Sequence, residues 1–70
     1  MANLDSPIAG KILVINIKVG QEVTDDDELF IIEAMKMENA VFCDNAGTVK
    51  ELLVKIGDRV QEGDVLAVIE

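Results

Sequence analysis

The sequence predicts an all-β fold, a small sandwich or flattened barrel with internal pseudo-two-fold symmetry. Three observations carry that expectation: a composition led by Val, Ile and Leu, a repeat offset by 37 residues, and apolar alternation with period two. Half of the 70 residues are hydrophobic, with two Phe and no Trp or Tyr. β-branched residues suit a pleated, half-buried surface. At this length there is room for one domain with a thin core.

Shifting the chain by 37 residues lays Ala9-Gly10 on Ala46-Gly47, Lys18 on Lys55, Gly20 on Gly57 and Val23 on Val60. Asp27, Leu29, Ile32 and Glu33 fall on Asp64, Leu66, Ile69 and Glu70. This makes nine identities in 25 positions without a gap. Ile12 with Val49, Val19 with Ile56, Asp25 with Glu62 and Ile31 with Val68 extend the match conservatively. One unit is used twice.

Within each unit, Ile15, Ile17 and Val19 alternate with Asn16 and Lys18, as Leu52, Val54 and Ile56 do around Lys55. Period two means a strand with one face inward. Counting back, the next inward residue is Ile12, three positions away. Leu52 to Val49 repeats that step, so a β-bulge is expected at the same place in both copies. Leu13 and Val14 then face outward, where the second copy has Lys50 and Glu51. They form either a small contact patch or the scattered apolar surface that proteins ordinarily carry.

Gly20-Gln21, Gly57-Asp58 and Glu62-Gly63-Asp64 read as turns. Asp25-Asp26-Asp27-Glu28 holds the matching place in the first copy, with Asp26 where a glycine is expected, which loosens that turn. Four consecutive acids raise the question of calcium, but the EF-hand spacing is missing, so no metal ligand set is assigned. Leu29 to Ile32 and Val65 to Ile69 close the two copies as apolar strands. The segment from Ala34 to Asn45 is the expected link between them.

Composition also excludes functions. Fourteen acids against six bases and no His give a net charge of -8. Such a surface repels nucleic acid and anionic membranes. The single Cys43, in the apolar run Ala40 to Cys43, reads as a buried core thiol. With no disulfide framework, no signal-peptide pattern and no apolar run long enough to span a bilayer, the expected location is cytoplasmic, without direct membrane insertion.

Between the copies lies Glu33-Ala34-Met35-Lys36-Met37-Glu38. On propensity alone it belongs in a helix, since Glu, Ala, Met and Lys are good helix formers and no Gly or Pro interrupts them. The repeat overrules this, because Ile31-Ile32 matches Val68-Ile69 in a short β-rich run. A strand ends near Glu33 and another starts near Ala40, so a hairpin turning at Met35-Lys36 is expected. A type I′ turn there lacks its usual Asn-Gly and sets non-glycine residues at positive φ, costing about 1–3 kcal/mol each. The cost is accepted to put a lysine at the tip. A catalytic lysine needs burial or a cationic neighbour, whereas Lys36 has Glu33 and Glu38 nearby along the chain. No catalytic residues are assigned, and chemistry on Lys36 must come from another enzyme.

The hexapeptide resembles the attachment motif of biotinyl domains, the biotin carboxyl carrier modules of the biotin/lipoyl attachment family. Ser6-Pro7-Ile8-Ala9-Gly10 resembles the opening segment of that family, Asp44 to Val49 its counterpart after the hairpin, and Gly57-Asp58 and Glu62-Gly63-Asp64 its turns. The resemblance spans nearly the whole chain and implies one biotinyl domain over residues 1–70. The implied fold is a flattened barrel of two four-stranded antiparallel sheets. The implied site is Lys36, carrying covalent biotin, within the motif residues Glu33, Ala34, Met35 and Met37. It further implies a biotin protein ligase that attaches the cofactor, and biotin carboxylase and carboxyltransferase or decarboxylase subunits between which a carboxyl group is shuttled. The domain itself is a carrier and not an enzyme. A lipoyl-type carrier is the alternative within the fold, although lipoyl domains typically carry Asp-Lys-Ala where this chain has Met35-Lys36-Met37. An unmodified interaction module is the alternative outside it. Lys11 to Gly20 pairs without a gap with Thr48 to Gly57, so the inserted thumb of bacterial acetyl-CoA carboxylase carriers is not expected. That tilts the parent toward a pyruvate or acyl-CoA carboxylase, a transcarboxylase or a sodium-pumping decarboxylase.

Overall fold

The structure is a computed structural model that describes residues 2–44 and 46–70. Its elements are β1 (Ala2–Asp5), β2 (Gly10–Ile15), β3 (Glu22–Val23), β4 (Phe30–Ala34), β5 (Met37–Val41), β6 (Gly47–Leu52), β7 (Arg59–Val60) and β8 (Val65–Ile69), with no helix among the described residues. All pairings are antiparallel, and the two four-stranded sheets run β1-β8-β6-β3 and β5-β4-β2-β7. Adding four to each strand number of the first sheet, and wrapping past eight, gives the second sheet. The expected two-fold sandwich is therefore present, with each sheet taking two strands from each half.

The matched apolar positions meet between the sheets. Ile12, Leu29, Phe30 and Ile32 from the first half and Leu66 and Ala67 from the second are each 0% exposed, with Val49 and Ile69 beside them. Both expected bulges are found, the register slipping between Ile12 and Val14 against β4 and between Val49 and Glu51 against β8. Each slip lets Ile12 or Val49 and the later inward residues stay on one face. Val14 faces outward, while Leu13 is half-buried.

Three expectations are corrected. The alternation through Val19 and Ile56 is not all strand: β2 ends at Ile15 and β6 at Leu52, and both Val19 and Ile56 are exposed. Each sits at the corner of a tight turn, and a corner residue has no core to face. The turn at Asp26 is not loosened. Asp27 N–H donates to the Thr24 carbonyl at 3.1 Å, while the Asp27 carboxylate accepts from Thr24 N–H at 2.9 Å. Gln61 and Asp64 make the same pair of bonds, as do Lys55 with Asp58 and Lys18 with Gln21. A side-chain acceptor at the fourth residue thus closes all four turns, with or without glycine at the third. Finally, the link between copies is only the two-residue turn at Met35-Lys36. β5 is the first strand of the second copy, the mate of β1, and the repeat was invisible there because Leu4-Asp5-Ser6 falls on Val41-Phe42-Cys43. Asn45, within the segment matched to Ser6–Gly10, lies outside the described residues, as does Met1.

Burial unites that dissimilar pair of segments. Ser6 is 2% exposed and its hydroxyl donates to the Ile8 carbonyl at 2.6 Å; its mate Cys43 is 6% exposed and its thiol donates to the Thr24 carbonyl at 3.3 Å. Cys43 is the buried thiol the sequence suggested.

The two Ala-Gly pairs have a steric origin. A Cβ on Gly47 would stand 2.7 Å from the Glu70 carbonyl oxygen and 2.7 Å from Ile69 Cγ2. On Gly10 it would run into the Glu33 carbonyl oxygen and stand 2.7 Å from Ile32 Cγ2. A backbone carbonyl held in a ladder cannot rotate away as a side chain can. Gly10→Ala and Gly47→Ala are expected to destabilise the fold by about 1–3 kcal/mol each, read as a lower urea midpoint. A change below about 0.3 kcal/mol would contradict the close approach.

Candidate functional site

β4 and β5 form a hairpin with full register, Phe30 opposite Val41, Ile31 opposite Ala40, Ile32 opposite Asn39, Glu33 opposite Glu38 and Ala34 opposite Met37. This leaves Met35 and Lys36 as a two-residue loop, at φ 53° and 66°. They are the only described non-glycine residues at positive φ, and both signs match the type I′ turn expected from the repeat. The helical alternative for this stretch is therefore excluded.

The strands below hold the strained turn. Phe30 and Ile32 have no exposed surface, and Ala34 is 7% exposed at the last rung. The Asn39 side-chain amide donates to the Met37 carbonyl at 3.2 Å and to the Ile32 carbonyl at 3.4 Å, tying the rungs nearest the tip. Asn39 lies outside the attachment motif, and the motif does not mark it. An amide three residues after a turn is a visible cue, since Asn bonds nearby backbone readily.

Above Ala34 the chain leaves the core. Met35 is 93% exposed, Met37 is 66% exposed, and Lys36 and both flanking acids are exposed. Of the motif residues, only Ala34 is buried. Among the described residues the one ion pair joins Lys50 and Glu70 at 3.2 Å, so Lys36 is not held down by a carboxylate. A depression of about 350 Å³ lies beside the hairpin tip, lined by Gly10, Lys11, Ala34, Met35, Lys36 and Arg59 among others. A primary amine standing clear of the core on a fixed two-residue loop suits acylation by a large enzyme, which needs access rather than a pocket. No set of three His, Cys, Asp or Glu side chains that could hold a metal ion is found among the described residues.

Fold and site together define a class, a two-fold all-β domain that displays one lysine on a hairpin turn. Comparison with known proteins makes it particular. A family model described as "Biotin-requiring enzyme", for the biotin/lipoyl family, matches residues 2–69. The chain belongs to the biotin/lipoyl attachment family. It is 40% identical over 67 residues to the mitochondrial propionyl-CoA carboxylase alpha chain of Homo sapiens, covering 96% of this chain and 9% of that one. It is 42% identical over 59 residues to the biotin/lipoyl attachment protein of Bacillus subtilis (strain 168), covering 84% of this chain and 81% of that one. Among solved structures, the urea carboxylase of Kluyveromyces lactis superposes with a TM-score of 0.90 at 39% identity, covering 99% of this chain and 6% of that one. The chain thus spans under a tenth of the length of the propionyl-CoA carboxylase chain and most of the small Bacillus protein.

Two outcomes are expected of substitutions at the tip. Met35→Thr with Met37→Thr should leave the melting temperature within about 2 °C, because exposed side chains contribute little to stability; a fall of many degrees would mean that they pack. Met35→Asn with Lys36→Gly should raise stability by about 1 kcal/mol or more in chemical denaturation by relieving two positive φ angles.

Proposed function

We propose that residues 1–70 act as a biotin carboxyl carrier domain, with biotin joined in amide linkage to Lys36 Nζ. The observation that carries this reading is the lysine at the tip of a strained, exposed hairpin in a chain of this family. In this scheme a biotin protein ligase presents an activated biotinyl group, and Nζ, giving up all but one of its protons to solvent, forms the new C–N bond as the activating group leaves with the electrons of the bond it breaks. Ala34 anchors the last rung, Met35 and Met37 flank the amine for the ligase and the partner enzymes, and Glu33 stands on the strand leading into the turn. Biotin supplies a ring nitrogen that can carry a carboxyl group. The chain supplies no catalytic group, and its contribution is effective concentration: a tethered group visits two active sites without release.

The partners are then a biotin carboxylase and a carboxyltransferase or decarboxylase, on separate subunits or in one longer chain. Relatives named as propionyl-CoA carboxylase, pyruvate carboxylase and biotin carboxyl carrier protein support a carboxylase parent. The reading extends to a cytoplasmic location, supported by the lone cysteine in a small domain; among the described residues no helix is long and apolar enough to cross a membrane. A lipoyl-type carrier is the second reading, favoured by the breadth of the family and opposed by methionines on both sides of Lys36.

Intact mass of the chain, expressed with both a biotin ligase and a lipoyl ligase, separates the two. The mass of one biotinyl amide is expected, and none on Lys36→Arg, with both proteins folded. A lipoyl mass would replace biotin with lipoate, and labelling of the Arg variant would remove Lys36 from the site.

A further inference from the structure

Residues 37 apart occupy the same place in the two sheets, so the fold makes the same demands on both. Where such a pair differs in chemistry, folding does not explain the difference. Most pairs agree. Among those that do not, two rows on the outer faces stand side by side near the hairpin.

The row nearest the hairpin crosses its sheet as Glu38, Glu33, Lys11 and Arg59, each directly opposite the next. All four are exposed. The mate of this row is Glu70, Thr48 and Glu22, joined by the Thr48–Glu70 backbone bonds and the Glu22–Thr48 pairing. Three of the chain's bases lie on the hairpin, β2 and β7, counting Lys36 itself, whereas the mate row has none. In the hairpin row Glu38 faces Glu33 and Lys11 faces Arg59, and only the central Glu33–Lys11 pairing sets unlike charges together. Like charges directly opposite are unfavourable, and neither Lys11 nor Arg59 joins an ion pair among the described residues. Two of the three pairings in this row therefore set like charges together, an arrangement that folding does not call for.

One row further from the tip, Ala40, Ile31 and Val14 lie opposite one another, with Val14 and Ala40 exposed. The mate of this row is Asn3, Val68 and Glu51. Thus the outer face of the sheet that bears the hairpin has an apolar row under a two-signed charged row. At the same positions the other sheet has Asn and Glu in place of Ala and Val.

We propose that the outer face of the β5-β4-β2-β7 sheet is the docking surface for the biotin carboxylase that works on the group carried at Lys36. The partner surface has an apolar strip for Val14, Ile31 and Ala40, cations opposite Glu33 and Glu38, and carboxylates opposite Lys11 and Arg59. This rests on the carrier reading. A second copy of the chain is a poor occupant, because two bodies of charge -8 repel. The small apolar row fits a contact at the weak end of protein interfaces, as a carrier that must leave each active site requires. Segregated charge sets orientation and encounter rate more than affinity.

The fold itself supplies the test variants, since Glu already occupies the mate positions of Val14 and Arg59. Val14→Glu and Arg59→Glu are made in the full chain, with Glu51→Val as the control on the other sheet. Intact mass is first used to measure biotin uptake. A free-standing biotin carboxylase is then added to the biotinylated, ¹⁵N-labelled chain without ATP, and afterwards with ATP and bicarbonate. Amide shifts are expected at Lys11, Val14, Ile31 and Ala40. Each Glu variant should raise KM about 3- to 10-fold with kcat within about two-fold, and Glu51→Val should match the parent. Shifts on Asn3, Val68 and Glu51, shifts confined to the hairpin turn, or an unchanged KM in a fully biotinylated variant would overturn the docking surface alone. Shifts that grow with the chain's own concentration, without carboxylase, would overturn it in favour of self-association. Failure of the parent chain to take up biotin would overturn the carrier reading and the docking proposal together.

Discussion

Neither half of this chain forms a four-stranded sheet alone, and the rest of the structure depends on that interlock. β8 lies between β1 and β6, and β4 lies between β5 and β2. Each central strand pairs with one strand from its own half and one from the other. A 35-residue half would expose one face of every strand and bury too little apolar surface to offset its ordering entropy. Closing the halves on each other produces a single core around Ile12, Phe30, Ile32, Leu66 and Ala67. Within each half the packing is equally close at Gly10 and Gly47, where the carbonyls of Glu33 and Glu70 leave no room for a side chain.

The same closure allows a turn that would be unfavourable by itself. Two non-glycine residues at positive φ cost on the order of a few kcal/mol in total. They persist because β4 is a central strand, buried on its inner face and paired on both sides, and because Asn39 ties the rungs beneath the tip. A flexible loop would also expose Lys36. A turn held this firmly presents the amine in one place, which favours a reaction carried out by a large partner over one in a pocket of its own.

Pseudo-symmetry also separates what folding requires from what it does not. Paired glycines, paired bulges and the four side-chain-clamped turns are shared by both halves, and each has a steric or hydrogen-bonding reason in the fold. The methionines around Lys36 and the asymmetric outer face of the hairpin sheet have none. Those residues are left without a reason in the fold.

Much of this was legible in the sequence. The 37-residue repeat determined the two-fold plan, the period-two runs determined the strands, and the three-residue step from Ile15 to Ile12 marked the bulge, because a side chain's face depends on local spacing alone. The repeat was also enough to turn a helix-prone hexapeptide into a hairpin with Lys36 at its tip. What was out of reach depended on partners distant in sequence. β5 could not be recognised as the mate of β1, because Ala2, Asn3 and Asp5 fall on Asn39, Ala40 and Phe42, which share position but not chemistry. Val19 and Ile56 could not be placed at turn corners, because alternation does not show where a ladder stops. Nor could the acid-acid-base-base row be seen. Glu38, Glu33, Lys11 and Arg59 are scattered along the chain, and only the register of four strands puts them side by side.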